Sequence, residues 1–242
     1  MSSVTILLML TAFVAGLARG FSGFGAALIF VPVAAALTAP AFAAPVLLVI
    51  DGIMTLPMVR PAWKLADRSE VFTMAIGSIA AVPLGAWALS VVDPVVLRWA
   101  ICALAVMMLG LIISGWRCRG EPHPAGMIAV GAVSGVFSGA AQIGGPPVVA
   151  WFTGRDNAPP RLRANIILFF AIGSVLTLCS YLWRGLFSPD VLLAALFAAP
   201  AYGLGLWLGA RAFGHASPVV FRRICLMLIG AAIVIGLPLW QA

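Results

Sequence analysis

The chain has 242 residues, of which 63% are hydrophobic and 9% are charged, whereas a soluble domain carries about 25% charged residues. This composition excludes a soluble globular protein and predicts an all-α polytopic membrane protein. The net charge of +7 would suggest nucleic-acid binding in a soluble protein, but the basic residues lie mostly in short connections between apolar segments. There they indicate membrane topology, and no nucleic-acid partner is expected.

Stretches without Asp, Glu, Lys or Arg divide the chain into candidate membrane spans. The hydrocarbon core of a bilayer requires about 20 apolar residues per helix, and nearly every stretch is long enough. The stretches are 1–18, 20–50, 71–92, 99–116, 122–154, 164–183, 191–210 and 224–242. Because the polar connections are short, we expect no separate catalytic domain, and any function must lie within or between the helices.

In chain order, the first stretch resembles a signal peptide in length, but no Lys or Arg precedes its apolar run. We therefore predict a retained first helix that belongs to a Gly-rich broken segment. Each half of the chain then reads as one broken segment followed by three spans. These spans are 41–58, 71–91 and 95–116 in the first half, and 161–183, 191–210 and 219–240 in the second.

Three landmarks recur in the same order in both halves. Gly16, Gly20, Phe24 and Gly25 recur as Gly135, Gly139, Ile143 and Gly144, at an offset of 119 residues. LGAW at 84–87 recurs as LGLW at 204–207, and DPVVLR at 93–98 recurs as SPVVFR at 217–222. We therefore predict a duplicated unit, with an N-terminal repeat over 1–120 and a C-terminal repeat over 121–242, together forming one integral membrane domain.

The basic residues predict how the broken segments lie in the membrane. If each segment enters and returns to the same side, eleven of the 14 basic residues face the cytoplasm, as the positive-inside rule requires. Each half then crosses three times, an odd number, so the second repeat is inverted and both termini face outward. Inverted repeats with broken helices are typical of secondary transporters with a midplane substrate site. The expected number of helical segments is eight to ten.

Both broken segments read as helix, break and helix: GLARGFSGFGAALIFVP over 16–32 and GVFSGAAQIGGPPVVAW over 135–151. Pro146 and Pro147 are well placed to begin a helix. The first turn of a helix has unpaired N–H groups and a partial positive charge, so two such ends meeting from opposite sides would form an anion site. The alternative is that the glycines only allow helices to pack closely.

Two charged residues are predicted to lie within the membrane. Arg19 separates two uncharged stretches, and a buried cation requires a partner, either a bound anion or a structural one. Asp51 lies about ten residues into its span. It is either a proton-coupling carboxylate or the partner of Arg19 in an ion pair that stabilises the bundle, and the sequence favours neither role.

Uncharged polar residues complete the candidate site. Gln142 lies in the second break and is the better candidate ligand, while Asn165 lies just inside the next span. Ser22 and Ser138 supply hydroxyls in the breaks, although such hydroxyls also bond their own helix backbone.

No motif for metal or covalent chemistry occurs in the sequence, which has no HExxH, CxxC, GxSxG or Walker-type pattern. His123 and His215 lie near span ends. The four cysteines are far apart, and all but one lie in apolar runs, where cysteine behaves as a small hydrophobe. They are Cys102, Cys118, Cys179 and Cys225. We expect no catalytic residue, metal or cofactor, and therefore not an enzyme.

The motifs GFSGFGAALIFVP and FSGAAQIGGPPVVAWF resemble the paired signature of the TauE/SafE-type sulfite exporter family of membrane transporters. The segments VPLGAW, DPVVLR, LRANIILFF and SPVVFRR are similar to that family in order and spacing. The resemblance covers almost the whole chain. It implies a multi-pass permease of the bacterial inner membrane for sulfur-containing anions such as sulfite, sulfoacetate or other organosulfonates.

By position, the glycine-rich breaks of that family correspond to Gly23, Phe24 and Gly25, and to Gln142, Gly144, Gly145 and Pro146. We predict proton coupling through Asp51. The predicted substrate-binding residues are Arg19, Ser22, Gly23, Phe24, Gly25, Gln142, Gly144, Gly145, Pro146 and Asn165. The expected partners are a small sulfur anion, the bilayer and protons as coupling ions. The alternatives are a passive anion channel or uniporter, and a membrane subunit of a larger complex.

Overall fold

A computed structural model describes residues 3–118, 123–154, 158–212 and 218–241, with the side chains of 22, 218–222 and 240–241 outside the description. All regular secondary structure within these ranges is helical, as predicted. The helices are α1 (Ser3–Ser22), α2 (Ala26–Leu37), α3 (Pro40–Leu65), α4 (Arg68–Val91), α5 (Pro94–Ser114), α6 (Pro124–Ala141), α7 (Gly145–Thr153), α8 (Pro159–Trp183), α9 (Pro189–Ala212) and α10 (Pro218–Gly236), followed by a short 3₁₀ helix at Pro238–Gln241.

Seven of the described helices are long and apolar enough to cross a membrane: α1, α3, α4, α5, α6, α8 and α9. Their outer faces carry large apolar side chains, such as Leu56 and Leu196, which are 63% and 68% exposed. A soluble protein rarely exposes apolar surface on this scale, whereas lipid covers it without cost. The chain is therefore a polytopic membrane protein, and its ten described α-helices agree with the expected eight to ten.

The first broken segment forms a hairpin of α1 and α2. Val4 and Leu8, at the start of α1, line the same cavity as Thr38 and Phe42, which follow α2. The hairpin therefore ends on the side where it began, as the in-and-return arrangement predicts. Since α1 has 20 residues and α2 only 12, the break between them lies inside the bundle.

The second broken segment forms a hairpin of α6 and α7 in the same way. A Cβ on Gly126, near the start of α6, would touch the indole of Trp151, near the end of α7. The Cys118 N–H, which precedes α6, donates to the Ala150 carbonyl at 3.1 Å. With only nine residues in α7, this break also lies inside the bundle.

Glycines create a close crossing between α1 and α9. A Cβ on Gly16 would overlap the backbone of Tyr202, and one on Gly20 would overlap the backbone of Leu206. A Cβ on Gly205 would in turn overlap the carbonyl of Phe13. As both residue numbers rise together, the two helices are parallel. Small residues on both faces thus allow the backbones to approach closely.

An equivalent crossing joins α6 to α4. Cβ atoms on Gly139 and Gly85 would overlap the backbones of Val82 and Val136, respectively. The landmarks that recur in the sequence therefore meet across the halves: α1 packs on α9, and its counterpart α6 packs on α4. Within the helices, these glycines allow close packing of the backbones. Close packing is the alternative that the sequence offers to a ligand-lining role for the glycines.

Matching spans of the two halves run antiparallel. The Asp67 N–H, after the end of α3, donates to Asn165 Oδ1 near the start of α8 at 2.7 Å. Arg98, near the start of α5, donates to the Gly236 carbonyl at the end of α10 at 3.2 Å. Inverted duplication would produce such pairing. The inverted repeats, and the division of the chain at residue 120, stay predictions.

Candidate functional site

The two breaks meet at a cavity of about 60 Å³, which we call the central cavity. Its lining comes from α1, α2, α3, α4, α6, α7 and α8, near the middle of the longer spans. A water molecule requires about 10–15 Å³ on the same measure, so the cavity has room for a small anion or a few waters. Its polar lining includes Arg19, Asp51, Ser138, Gln142, Ser174 and Thr177.

Arg19 and Asp51 form a two-pronged ion pair at the edge of this cavity. Arg19 Nε donates to Asp51 Oδ1 at 3.0 Å, and Nη2 donates to Oδ2 at 3.1 Å. The remaining nitrogen, Nη1, donates to the Gly23 carbonyl at 2.6 Å, and the guanidinium carbon lies 5.3 Å from the centre of the Phe170 ring. The side chains are only 11% and 21% exposed. The structure therefore forms the predicted ion pair, while proton coupling through Asp51 stays a prediction.

Tyr202 is a third member of this polar group that the sequence analysis missed. Its hydroxyl, on α9, donates to Asp51 Oδ1. A buried tyrosine hydroxyl usually finds a hydrogen-bond partner, so a tyrosine inside an apolar span is the signal that could have found it. Ser138 follows Arg19 by 119 residues, and Val82 precedes Tyr202 by 120 residues. The positions that match Arg19 and Tyr202 in the other half are therefore a serine and a valine. The charged network is thus built in one half only.

The first turn of α2 presents its backbone to the central cavity. Gly25 precedes the helix with φ 95°, in the left-handed region that favours glycine, and no side chain caps the helix start. Gly25, Ala26 and Ala27 all line the cavity. Because the first N–H groups of a helix have no intrahelical acceptor and carry the positive end of its dipole, this turn suits an anion.

The first turn of α7 faces the same cavity with fewer donors. Gly145 and Pro146 line the cavity, and Pro147 follows in the same turn. Proline has no backbone N–H, so two positions of this turn cannot donate. The two helix ends meet as predicted, but the donors are concentrated on α2.

Gln142 has an uncommon backbone conformation and lines the central cavity. Its φ is 60°, and it is the non-glycine residue with positive φ in the described chain. At an offset of 119, its counterpart in the first break is Gly23, with φ 78°. Both breaks thus contain a residue in the left-handed backbone conformation. For glutamine this conformation costs about 1 kcal/mol of free energy relative to the right-handed one. Its Nε2 donates to the Ser138 carbonyl at 3.1 Å.

The other predicted residues lie in different surroundings. Gly144 packs tightly against α6, where Ser134 Oγ donates to its carbonyl at 2.7 Å. Gly23 lines a smaller cavity of about 20 Å³ that also contacts Arg19. Asn165 is buried outside the central cavity and joins α8 to the connection before α4. The side chain of Ser22 lies outside the described residues.

Broken helices that meet at a polar cavity inside a membrane bundle are found in many membrane transporters. The sequence matches the Sulfite exporter TauE/SafE family over residues 8–236. The chain belongs to this family of membrane transporters.

One relative is named "Probable sulfite/organosulfonate exporter TauE" and comes from Cupriavidus necator. The two sequences are 26% identical over 182 residues, which cover 71% of this chain and 69% of the relative. No solved structure matches the chain.

Proposed function

We propose that this protein is a secondary transporter of small sulfur-containing anions, such as sulfite or an organosulfonate, in the bacterial inner membrane. The central cavity would bind the anion, and the two halves would expose it alternately to each side. One observation carries the proposal: the first turn of α2, Gln142 and the Arg19–Asp51 pair all line one cavity inside the membrane bundle. The printed name of the relative from Cupriavidus necator supports the choice of sulfur anion.

The chemistry of the lining suits an oxyanion because oxyanions accept hydrogen bonds and donate few. The backbone of Gly25 to Ala27 and the amide of Gln142 offer neutral donors. Hydrogen bonds from such donors to an ionised acceptor are shorter and roughly twice as strong as those between neutral groups. The volume of about 60 Å³ suits a small oxyanion, and a larger organosulfonate would require the cavity to widen.

The Arg19–Asp51 pair provides a physical route to proton coupling. In this structure the two charges compensate each other, so an anion in the cavity meets a pair with no net charge. Protonation of Asp51 would leave the charge of Arg19 to the anion, and two unit charges about 4 Å apart interact by roughly 4 kcal/mol near a protein surface. Arg19 on α1 and Tyr202 on α9 face the carboxylate, and Arg163 on α8 lines the adjacent small cavity. Proton and anion would therefore bind together.

The experiment is uptake of labelled sulfite and of methanesulfonate into proteoliposomes, with and without an imposed proton gradient. We expect accumulation above equilibrium only when the gradient is present. Equilibration without gradient dependence would instead identify a channel or uniporter. Absence of flux for both compounds would overturn the proposed cargo.

The matched control for coupling is Asp51→Asn, which keeps the shape of the side chain and removes its charge. We expect this variant to exchange the anion across the membrane but to lose accumulation. Glu70→Gln tests a carboxylate that accepts from Trp151 Nε1 at 3.0 Å and does not line the central cavity. It should accumulate as wild type does.

A further inference from the structure

A second, larger cavity of about 320 Å³ lies beside the central cavity, and we call it the vestibule. α1, α5, α7 and α10 enclose it with mainly apolar side chains, among them Phe21, Leu111 and Leu226. It reaches the protein surface where α5 ends, at Trp116, which is 58% exposed, and at the exposed Arg117. The positively charged side chain of Arg117 thus lies where the vestibule opens at the protein surface.

Phe24, Gly25 and Pro146 line both cavities and therefore form the wall between them. Phe24 is the large side chain of this wall. It reaches the opposite break, because a Cβ built on Gly145 would lie 3.7 Å from Phe24 Cβ and 4.0 Å from its Cδ2. The ring of Phe24 therefore lies between the two broken segments, on the side that faces the vestibule.

The backbone around Phe24 has unusual conformational freedom. Gly23 and Gly25 flank it with φ of 78° and 95°, and a Cβ on Gly23 would meet nothing within 4 Å. The counterpart of Phe24 in the second break is Ile143, which is buried beside the tightly packed Gly144. The first break therefore places its aromatic side chain between two glycines, whereas the second break places Ile143 in the core.

Part of the remaining lining of the central cavity consists of side chains of the core. Leu28, Leu47, Val82 and Ile143 all line it and are at most 2% exposed. The wall that contains Phe24 separates the central cavity from the larger of its two neighbouring cavities, while the small cavity adjoins it at Arg19, Phe170 and Ser174.

We propose that Phe24 is the gate between the vestibule and the central cavity, and that its ring swings on Gly23 and Gly25 to admit the anion. This proposal rests on the transport function proposed above. The vestibule is then the path of the substrate on the side of the membrane that carries Arg117, whose charge attracts an anion to the mouth. The structure corresponds to the state in which the vestibule is open and the gate is closed.

Thiol accessibility tests the gate without measuring transport. Cys225 lines the vestibule and Ser138 lines the central cavity, so Cys225 and a Ser138→Cys substitution report on the two compartments. Cys102, Cys118 and Cys179 are first replaced by serine or alanine. The probe is a negatively charged methanethiosulfonate reagent, added to the purified protein in detergent.

We expect Cys225 to react at the same rate in every variant. The thiol introduced by Ser138→Cys should react slowly behind Phe24 and at least tenfold faster in the Phe24→Ala variant. Phe21 lines the vestibule but not the central cavity. Phe21→Ala therefore removes a phenyl ring that is not part of the wall, and it should leave the slow labelling of the Ser138→Cys thiol unchanged. Equal rates in the Phe24→Ala and Phe21→Ala variants would overturn the gate.

The hinge has its own test in Gly23→Ala. Because there is space for the methyl group, the change acts through the backbone angle alone. We expect turnover of sulfite to fall several-fold while its binding at equilibrium is retained, and wild-type turnover would contradict the hinge. Gly52→Ala, at an open helical position on α3, is the control.

If Gly23→Ala fails to fold, Gly145→Ala replaces it. The added methyl would lie 3.4 Å from Phe170 Cζ and 3.7 Å from Phe24 Cβ, at ordinary contact distances, and should slow labelling of the Ser138→Cys thiol further. Unchanged labelling would count against the gate. If the labelling results agree with the gate but sulfite is not transported, the gate stands and the proposed cargo fails.

Discussion

At Gln142, a glutamine holds a conformation that glycine would adopt at lower free energy. Gln142→Gly therefore deletes the side chain without straining the backbone. We expect the free energy of unfolding to stay constant or rise by about 1 kcal/mol. The affinity for the anion should fall at least tenfold, because a hydrogen bond to a charged group contributes about 1.5–3 kcal/mol.

Thermal unfolding in detergent and the concentration dependence of uptake check this pair of effects. Gln142→Asn is the control, since it keeps the amide and asparagine tolerates the left-handed region. Uptake of Gln142→Gly at wild-type affinity would remove Gln142 from the site.

Arg19 and Asp51 require a variant that separates structure from transport. Arg19→Ala alone should abolish uptake, but it also leaves Asp51 as an uncompensated charge, which costs about 3–5 kcal/mol when a buried pair is broken. The double variant Arg19→Gln with Asp51→Asn removes both charges together. We expect it to recover the expression and thermal stability that Arg19→Ala loses, without recovering uptake. Recovery of uptake in the double variant would show that the pair is structural only.

The sequence could predict Arg19 and Asp51 as partners because a charge inside a membrane needs an opposite charge within reach. It could not predict Tyr202, whose hydroxyl joins them from α9. The hydropathy of a uniformly apolar span does not reveal which face looks inward. For the same reason, hydropathy does not separate Asn165, which is buried at the connection between α3 and α4, from the residues that line the central cavity.

At the scale of the elements, the glycine crossings make a direct prediction about packing. A Cβ on Gly205 would overlap the Phe13 carbonyl of α1, whereas one on Gly110 of α5 would meet nothing within 4 Å. Gly205→Ala should therefore lower the free energy of unfolding by about 1–3 kcal/mol, and Gly110→Ala should not lower it. Thermal unfolding of both variants in detergent checks this, and equal midpoints would contradict the crossing.

The recurrence of glycines predicted a duplication but not which helices would meet. A face of small residues fits any other such face, so the pairing of α1 with α9 and of α6 with α4 required the structure. Similarly, Pro146 and Pro147 predicted the start of α7 correctly. The same prolines that make this helix start easy to predict lack N–H donors, which is why the backbone donors that face the central cavity are concentrated on α2.

At the scale of the whole molecule, the distribution of basic residues predicts sidedness. The connection between α3 and α4 should face the cytoplasm, and the connection between α8 and α9 should face outward. Alkaline phosphatase fused after Ala66 should be inactive, and the same enzyme fused after Ser188 should be active. This topology places the end of α5, where the vestibule opens beside Arg117, on the cytoplasmic side, and the reverse pattern would place it outside.

The crossing of α1 on α9 also bears on how the molecule is made. The ribosome completes the N-terminal hairpin roughly ten to forty seconds before it finishes the helix that covers the glycines of α1, at usual rates of synthesis. During that interval α9 does not yet cover Gly16 and Gly20 of α1, and Asp51 lacks its hydrogen bond from the hydroxyl of Tyr202. Until α9 is synthesised, the N-terminal half therefore lacks both the helix that covers the glycines of α1 and the hydroxyl that bonds Asp51.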